Sequence, residues 1–290
     1  MSRTPTVAKL IDTTTCIGCK ACEVACQEWN DHEFTMSGLG GDYQTRPDLT
    51  DSFWNLIKFN EESRDDGQLS WLMAKYQCMH CLDPGCVRAC PAPGAIVILD
   101  NGIVDFNQDN CIGCGYCITG CPFDVPRLSP QTNKVYKCTL CSDRTVVGLE
   151  PACIKACPTN CLTFGTRNDL LEQAESRAQE LQADGVTQAG VYNPSGVGGT
   201  NVIYVLAQAD RPVCAVIGDG SSMYSIQALW TAAHLKLPIT YVIANNGSYK
   251  ILKQRLKAFH NNDHFVGMDL NDPSIDFVNL ESYSFKYLIA

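Results

Sequence analysis

The chain has 290 residues, 45% hydrophobic and 18% charged, with a net charge of −9. This composition fits one large globular domain or two modest ones and excludes long disorder. The acidic balance excludes nucleic acid as a partner, because a phosphate-binding face needs excess Lys and Arg.

The opening stretch MSRTPTVAKLID lacks the apolar segment of a signal peptide, and no apolar run reaches the roughly 20 residues of a membrane helix. The eighteen cysteines therefore point to thiolate ligands in a reduced or cofactor-protected setting, not to a disulfide framework. Cys16, Cys19, Cys22 and Cys26 come first, as C-x2-C-x2-C-x3-C. SFWNLIKFNEES and LSWLMAKYQC, around the polar RDDGQ, then predict the two strands of a hairpin-like insertion. Cys78, Cys81, Cys86 and Cys90 follow as C-x2-C-x4-C-x3-CP. Cys111, Cys114, Cys117 and Cys121 repeat the first spacing, with CIGCGYC a near copy of CIGCKAC. Cys138, Cys141, Cys153 and Cys157 give C-x2-C-x11-C-x3-CP, which leaves only Cys161 and Cys214 outside the quartets.

Three thiolates on one tight loop reach three corners of an iron–sulfur cubane, and the fourth cysteine, leaving on a helix or turn, ligates the neighbouring cluster. Proline at positions 91, 122 and 158 fixes the backbone at three of those exits. A closed zinc site would use separated CxxC pairs instead. Crossover ligation combined with nesting predicts four [4Fe–4S] clusters. Set I is Cys16, Cys19, Cys22 and Cys157; set II is Cys78, Cys81, Cys86 and Cys121. Set III is Cys90, Cys111, Cys114 and Cys117; set IV is Cys26, Cys138, Cys141 and Cys153. With four thiolates per cluster no iron position stays open, so the region carries electrons and is itself non-catalytic. His32 and His80 read as ordinary structural or surface histidines. Lys20, Arg88, Arg127, Lys137 and Lys155 lie near the quartets and read as solvated surface.

VAKLIDTTTCIGCKACEVACQEWND, GIVDFNQDNCIGCGYCITGCPFDVPRL, VYKCTLCSDR, EPACIKACPT and VYNPSGVGGTNVIYVLAQAD resemble the iron–sulfur (beta) subunit of respiratory formate dehydrogenase over residues 7–210. The resemblance implies a place in anaerobic respiration. Electrons would come from a molybdenum or tungsten catalytic subunit that oxidises formate and pass to a quinone-reducing cytochrome b membrane subunit. It also implies membrane association through those partners, on the periplasmic face, with a cytoplasmic location if that role does not hold.

After the clusters, RNDLLEQAESRAQELQAD predicts a helix with Leu170, Leu171, Ala174, Ala178 and Leu181 on one face. Thr166 and Asp169 form its capping box and Gly185 its stop. YNPSGVGGTNVIYVL reads as an extended arm, which the resemblance sets against the catalytic subunit. Beyond Asp210, RPVCAVIG, DGSSMYSIQALWTAAHLKL and PITYVIANN read as strand, turn-plus-helix and strand, one βαβ unit. Gly218-Asp219-Gly220 and Asn245-Asn246 then fall at the same sheet edge, where ligands bind.

Residues 211–290 resemble the diphosphate-binding domain of thiamine-diphosphate enzymes of the benzoylformate decarboxylase and acetolactate synthase group. That likeness implies Mg²⁺ on Asp219, Asn246 and the Ser248 carbonyl, with Gly220 and Ser221 near the diphosphate of thiamine diphosphate. The start of that domain and the pyrimidine-binding domain with its activating glutamate are missing, so the segment reads as a non-functional fragment. The chain is thus expected to be a chimera, joined near ADRP, of α+β class. Two nested ferredoxin-like 2[4Fe–4S] units fill 1–166 (outer 1–30 and 134–166, inner 75–130). A helix and arm follow over 167–210, then a truncated α/β, Rossmann-like fragment over 211–290. The alternative is a thiamine-diphosphate-dependent 2-oxoacid oxidoreductase or decarboxylase.

Overall fold

The computed structural model describes residues 4–33, 43, 44, 46–63, 69–209, 213–218, 239–244, 248, 253, 257, 269 and 287–289. The chain divides into two compact units, Met1–Ala209 and Asp210–Ala290. Among the described residues no helix is long and apolar enough to cross a membrane.

The first unit opens with β1 (Val7–Asp12) and α1 (Ala21–Trp29), then the hairpin strands β2 (Asn55–Ser63) and β3 (Leu69–Gln77). Short elements carry the middle cysteines: α2 (Gly85–Ala89), β4 (Ile96–Ile98), β5 (Val104–Phe106), α3 (Tyr116–Thr119), β6 (Arg127–Leu128) and β7 (Val135–Tyr136). The last two quartet loops lead into α4 (Ser142–Thr145) and α5 (Ala152–Lys155), followed by β8 (Leu162–Thr166), α6 (Arg167–Ala183), β9 (Gly190–Tyr192) and β10 (Val202–Leu206). Such short helices cannot stand on propensity alone. Their burial around cysteine sulfur holds them.

One four-stranded sheet, ordered β8-β1-β10-β9, divides two environments. β1 runs parallel to β10, with Lys9 opposite Val202 and Asp12 opposite Val205, and antiparallel to β8. Strand side chains alternate between faces. Ala8, Leu10, Ile203 and Val205 pack on Leu170, Ala174 and Leu181 of α6, whereas Ile11, Val202 and Tyr204 face Cys22, Cys153 and Cys161. Position 9 belongs to the cysteine face as well, so a lysine sits in the middle of the core.

The expected hairpin is present, with β2 and β3 in register from Asn55–Gln77 to Ser63–Leu69. The expected helix is α6. The Thr166 hydroxyl accepts the Asp169 N–H at 3.4 Å, and Gly185, at φ +93°, follows its end. Residues 190–206, however, are not an extended arm. They form β9 and β10, and the intervening turn pairs with the second quartet loop: Leu82 N–H donates to Gly199 O at 2.9 Å and Asn201 N–H to His80 O at 3.0 Å. The reason lies in VIYVL, whose successive side chains are buried on both faces of the sheet; Val202, Ile203 and Val205 are fully covered.

In the second unit β11 (Val213–Gly218) runs parallel to β12 (Ile239–Ala244), in register from Val213–Ile239 to Gly218–Ala244. β13 (Tyr287–Ile289) runs parallel to β12 on its other side. The expected strand pair of a βαβ unit is therefore there, both strands ending at one edge. Its helix lies outside the described residues, as do Asp219, Gly220, Ser221 and Asn246. Ser248 makes an antiparallel bridge to Asp269, which also pairs with Lys253.

Candidate metal centres

The first C-x-x-C loop of each quartet turns in the same way. The residue just before the second cysteine is left-handed in each: Gly18 at φ +64°, His80 at +46°, Gly113 at +71° and Leu140 at +53°. This turn aims a backbone N–H back at the first sulfur. His80 N–H donates to Cys78 Sγ at 3.5 Å and Leu140 N–H to Cys138 Sγ at 3.4 Å. At position 113 glycine is doubly required, because a Cβ there would stand 2.2 Å from the Asn133 carbonyl oxygen. Gly113→Ala is expected to cost roughly 1–3 kcal/mol in backbone strain alone. It should also lower the iron content of the purified chain by about four atoms per chain; undiminished iron would show that the loop tolerates a side chain.

Many of the cysteines in these sets lie near one another. Cys16, Cys19, Cys22 and Cys157 line one cavity with Lys75 and Cys161. Burial, then the neighbouring sulfurs of Cys78, Cys121 and Cys86, push the Cys81 thiol up to about 12. Burial, then Cys86, Cys90, Cys111 and Cys114, push Cys117 up to about 12. Cys26 is raised by burial and by Cys138, Cys153 and Cys141, against the lowering effect of Lys75. The seventeen cysteines of the first unit form no disulfides. Among the described residues, no three or more His, Cys, Asp or Glu side chains close on a single metal ion.

The sets also follow one another. Cys22 and Cys153 share one core with Cys161, Cys78 and Cys138 share a second, and Cys86, Cys111 and Cys117 share a third. Contacts therefore run from set I to IV, from IV to II and from II to III. At the two ends Cys19 and Cys114 are exposed. Ile17 beside the first is 59% exposed, and Ile112 and Tyr116 beside the second are each 61% exposed.

Three lysines are buried among these sulfurs. Lys9, 0% exposed, donates to Cys153 Sγ and to Gln77 Oε1, each at 3.1 Å. Burial opposes its charge, but Cys153, Cys138 and Cys141 outweigh that and hold it above the ordinary lysine range. Lys75 bonds to Asn55 Oδ1. Lys137 donates to the carbonyls of Val104 and Cys138 at 2.5 and 3.0 Å. Reading Lys137 as solvated surface is thus corrected: β7 leads it under the sheet of β4 and β5, beside Phe106. Lys9 and Lys75 carry no sequence signal beyond their strand position, since lysine on a strand is ordinarily exposed. Arg127 pairs with Asp48 and Asp124, Arg88 with Asp83, and Lys155 is exposed.

His80 is structural but not superficial. Its Nδ1 accepts the Val104 N–H at 3.2 Å, and burial with Lys137 and Lys9 nearby keeps the ring neutral. Nε2 then carries the proton and is buried with no partner, as is Gln77 Nε2. Buried ammonium groups, inward N–H donors and orphaned donors make a shell suited to a bulky anion rich in sulfur, which a thiolate-ligated iron–sulfur cluster is.

Comparison with known proteins agrees with this shell. The 4Fe-4S dicluster domain family matches residues 15–95 and again 69–167. The iron–sulfur subunit of the nitrate-inducible formate dehydrogenase of Escherichia coli is 57% identical over 206 residues, covering 71% of this chain and 70% of that protein. The chain belongs to the formate dehydrogenase iron–sulfur subunit family. The corresponding subunit of Haemophilus influenzae is 54% identical over 71% of this chain and 66% of its own.

The thiamine pyrophosphate enzyme C-terminal TPP binding domain matches residues 170–285 of the chain. Its first part overlaps α6, β9 and β10. The thiamine diphosphate-dependent 4-hydroxybenzoylformate decarboxylase of Rhodococcus jostii RHA1 is 44% identical over 27% of this chain and 14% of its own, with a TM-score of 0.24. The fold class is accordingly two ferredoxin-like dicluster regions followed by a thiamine-pyrophosphate-type segment.

Proposed function

We propose that the chain is an electron-transfer subunit holding four [4Fe–4S] clusters, one in each of sets I to IV. The observation that carries this is the unbroken succession of cysteine sets I–IV–II–III, exposed only at its two ends. When bound, such clusters exchange single electrons without taking a substrate. The chain's own residues hold the sulfurs in line, bury all four sulfurs of set IV and lower the cost of added negative charge with Lys9, Lys75 and Lys137.

Electrons enter at one exposed end and leave at the other. The donor is a molybdenum or tungsten catalytic subunit that oxidises formate, and the acceptor a cytochrome b subunit that holds the complex at the membrane. The E. coli relative's designation as an iron–sulfur subunit of a formate dehydrogenase supports a catalytic partner of this kind. Residues 211–290 are a fragment of thiamine-diphosphate enzyme origin, joined to the electron carrier as a chimera and not catalytic there. Asp219, Gly220, Ser221, Asn246 and Ser248 are the residues through which it would hold Mg²⁺ and thiamine diphosphate in an intact enzyme.

The test is reduction of the loaded chain, followed by bleaching of its visible iron–sulfur absorption. Formate with a formate dehydrogenase catalytic subunit is expected to reduce it. Benzoylformate with thiamine diphosphate and Mg²⁺, with no other protein, is expected to leave it oxidised. The opposite pattern would make the chain a thiamine-dependent 2-oxoacid oxidoreductase.

A further inference from the structure

Cys161 belongs to no quartet, yet it lies within one. It is 6% exposed and lines the same cavity as Cys16, Cys19, Cys22 and Cys157. Its Sγ stands 3.5 Å from Cys157 Sγ. Two sulfurs this close address one corner of a cubane, not two, because ligands on separate irons are held apart by the cluster between them. The backbones differ. Cys157 follows α5 and ends on the turn through Thr159 and Asn160, whereas Cys161 is tied to β1, its carbonyl accepting the Asp12 N–H at 2.8 Å.

We infer that Cys161 is a reserve ligand for the fourth corner of the set I cluster, able to replace Cys157 on the same iron. This rests on the four-cluster reading above. In the replacement the Fe–S bond to Cys157 is lost and one to Cys161 Sγ forms; the Cys161 thiol proton goes to solvent, and iron and cluster keep their oxidation states. While Cys157 holds the iron, Cys161 Sγ stays within hydrogen-bond reach of Cys157 Sγ. Thr159, on the cavity wall beside both sulfurs, leaves a short turn to adjust when the ligand changes.

The experiment uses the full chain, reconstituted anaerobically, with iron and sulfide analysis and EPR of the reduced state. The wild-type chain, Cys161→Ala and Cys157→Ala are each expected to hold about sixteen irons, and Cys157→Ala/Cys161→Ala about twelve. Cys19→Ala, whose corner has no second thiol, is the control at about twelve. In a second pair, Cys157→Ser should keep the EPR signal of an all-cysteine cluster while Cys157→Ser/Cys161→Ala shifts it, because only there must the serine oxygen serve. A Cys157→Ala chain that holds about twelve irons, or does not assemble while Cys19→Ala does, overturns the inference, as do identical spectra for the two serine variants. A wild-type chain with about eight irons would overturn the four-cluster reading itself, so the two failures are told apart.

Discussion

Stripping iron from the chain is expected to melt most of the structure over residues 10–165 while leaving α6 as its best-protected part. The cores around the quartets are built from cysteines as much as from hydrocarbon: Cys22, Cys153 and Cys161 in one, Cys78 and Cys138 in the next, Cys86, Cys111 and Cys117 in the third. Without iron many of these thiols hold their protons, as the displacement of Cys86 and Cys141 to about 11 by burial and neighbouring sulfur indicates, whereas Lys9 and Lys75 outweigh burial at Cys153 and hold its thiol below the ordinary range. Lys137 then loses the anions it faces, the sulfurs of Cys78 and Cys86. An unpaired buried charge costs about 3–5 kcal/mol, a large share of the about 5–15 kcal/mol stability of an ordinary domain. The core beneath α6 contains no cysteine, only residues such as Ala8, Leu10, Leu170, Ala174, Ile203 and Val205. Hydrogen exchange on the chelated chain would show fast exchange at the quartet loops and slower exchange in α6. Equal protection with and without iron would mean that the sulfur cores fold unaided.

Replacing Lys9 by methionine is the single substitution expected to shift electron transfer most. The ammonium is fully buried and 3.1 Å from Cys153 Sγ, a set IV sulfur. A hydrogen bond to a charged group contributes about 1.5–3 kcal/mol. If most of that favours the reduced cluster, Lys9→Met lowers the set IV potential by on the order of 60–130 mV, taking 59 mV as tenfold for one electron. Methionine keeps the volume, so the sheet should survive, although Gln77 Oε1 loses its donor. EPR-monitored titration of the variant should show one cluster displaced to lower potential and three unchanged. A displacement shared equally by all four, or none, would show that the charge acts through general field or not at all.

What the sequence revealed and what it hid divide along physical lines. Local spacing made the cysteine quartets, the hairpin of β2 and β3 and the capped helix α6 readable from neighbours a few residues apart, whereas the grouping of cysteines from distant quartets into sets rests on crossover ligation. β10 was not. Its glycine-rich approach looks like a linker, and only the parallel pairing with β1, at the other end of the unit, makes it central. The buried lysines were hidden for a related reason. VAKLID has no feature that marks Lys9 as inward; the anionic set that makes its burial tolerable comes from Cys138, Cys141 and Cys153, far along the chain. His80 and Leu140 likewise adopt the left-handed turn for which glycine serves at positions 18 and 113. Composition alone would not have picked them.

Iron and acid-labile sulfide per chain, measured after anaerobic reconstitution, test the account most directly. Four sets of four sulfurs predict about sixteen irons and as many sulfides, with interacting signals in the reduced EPR spectrum. About eight irons, or a chain that retains its fold with metal absent, would contradict it.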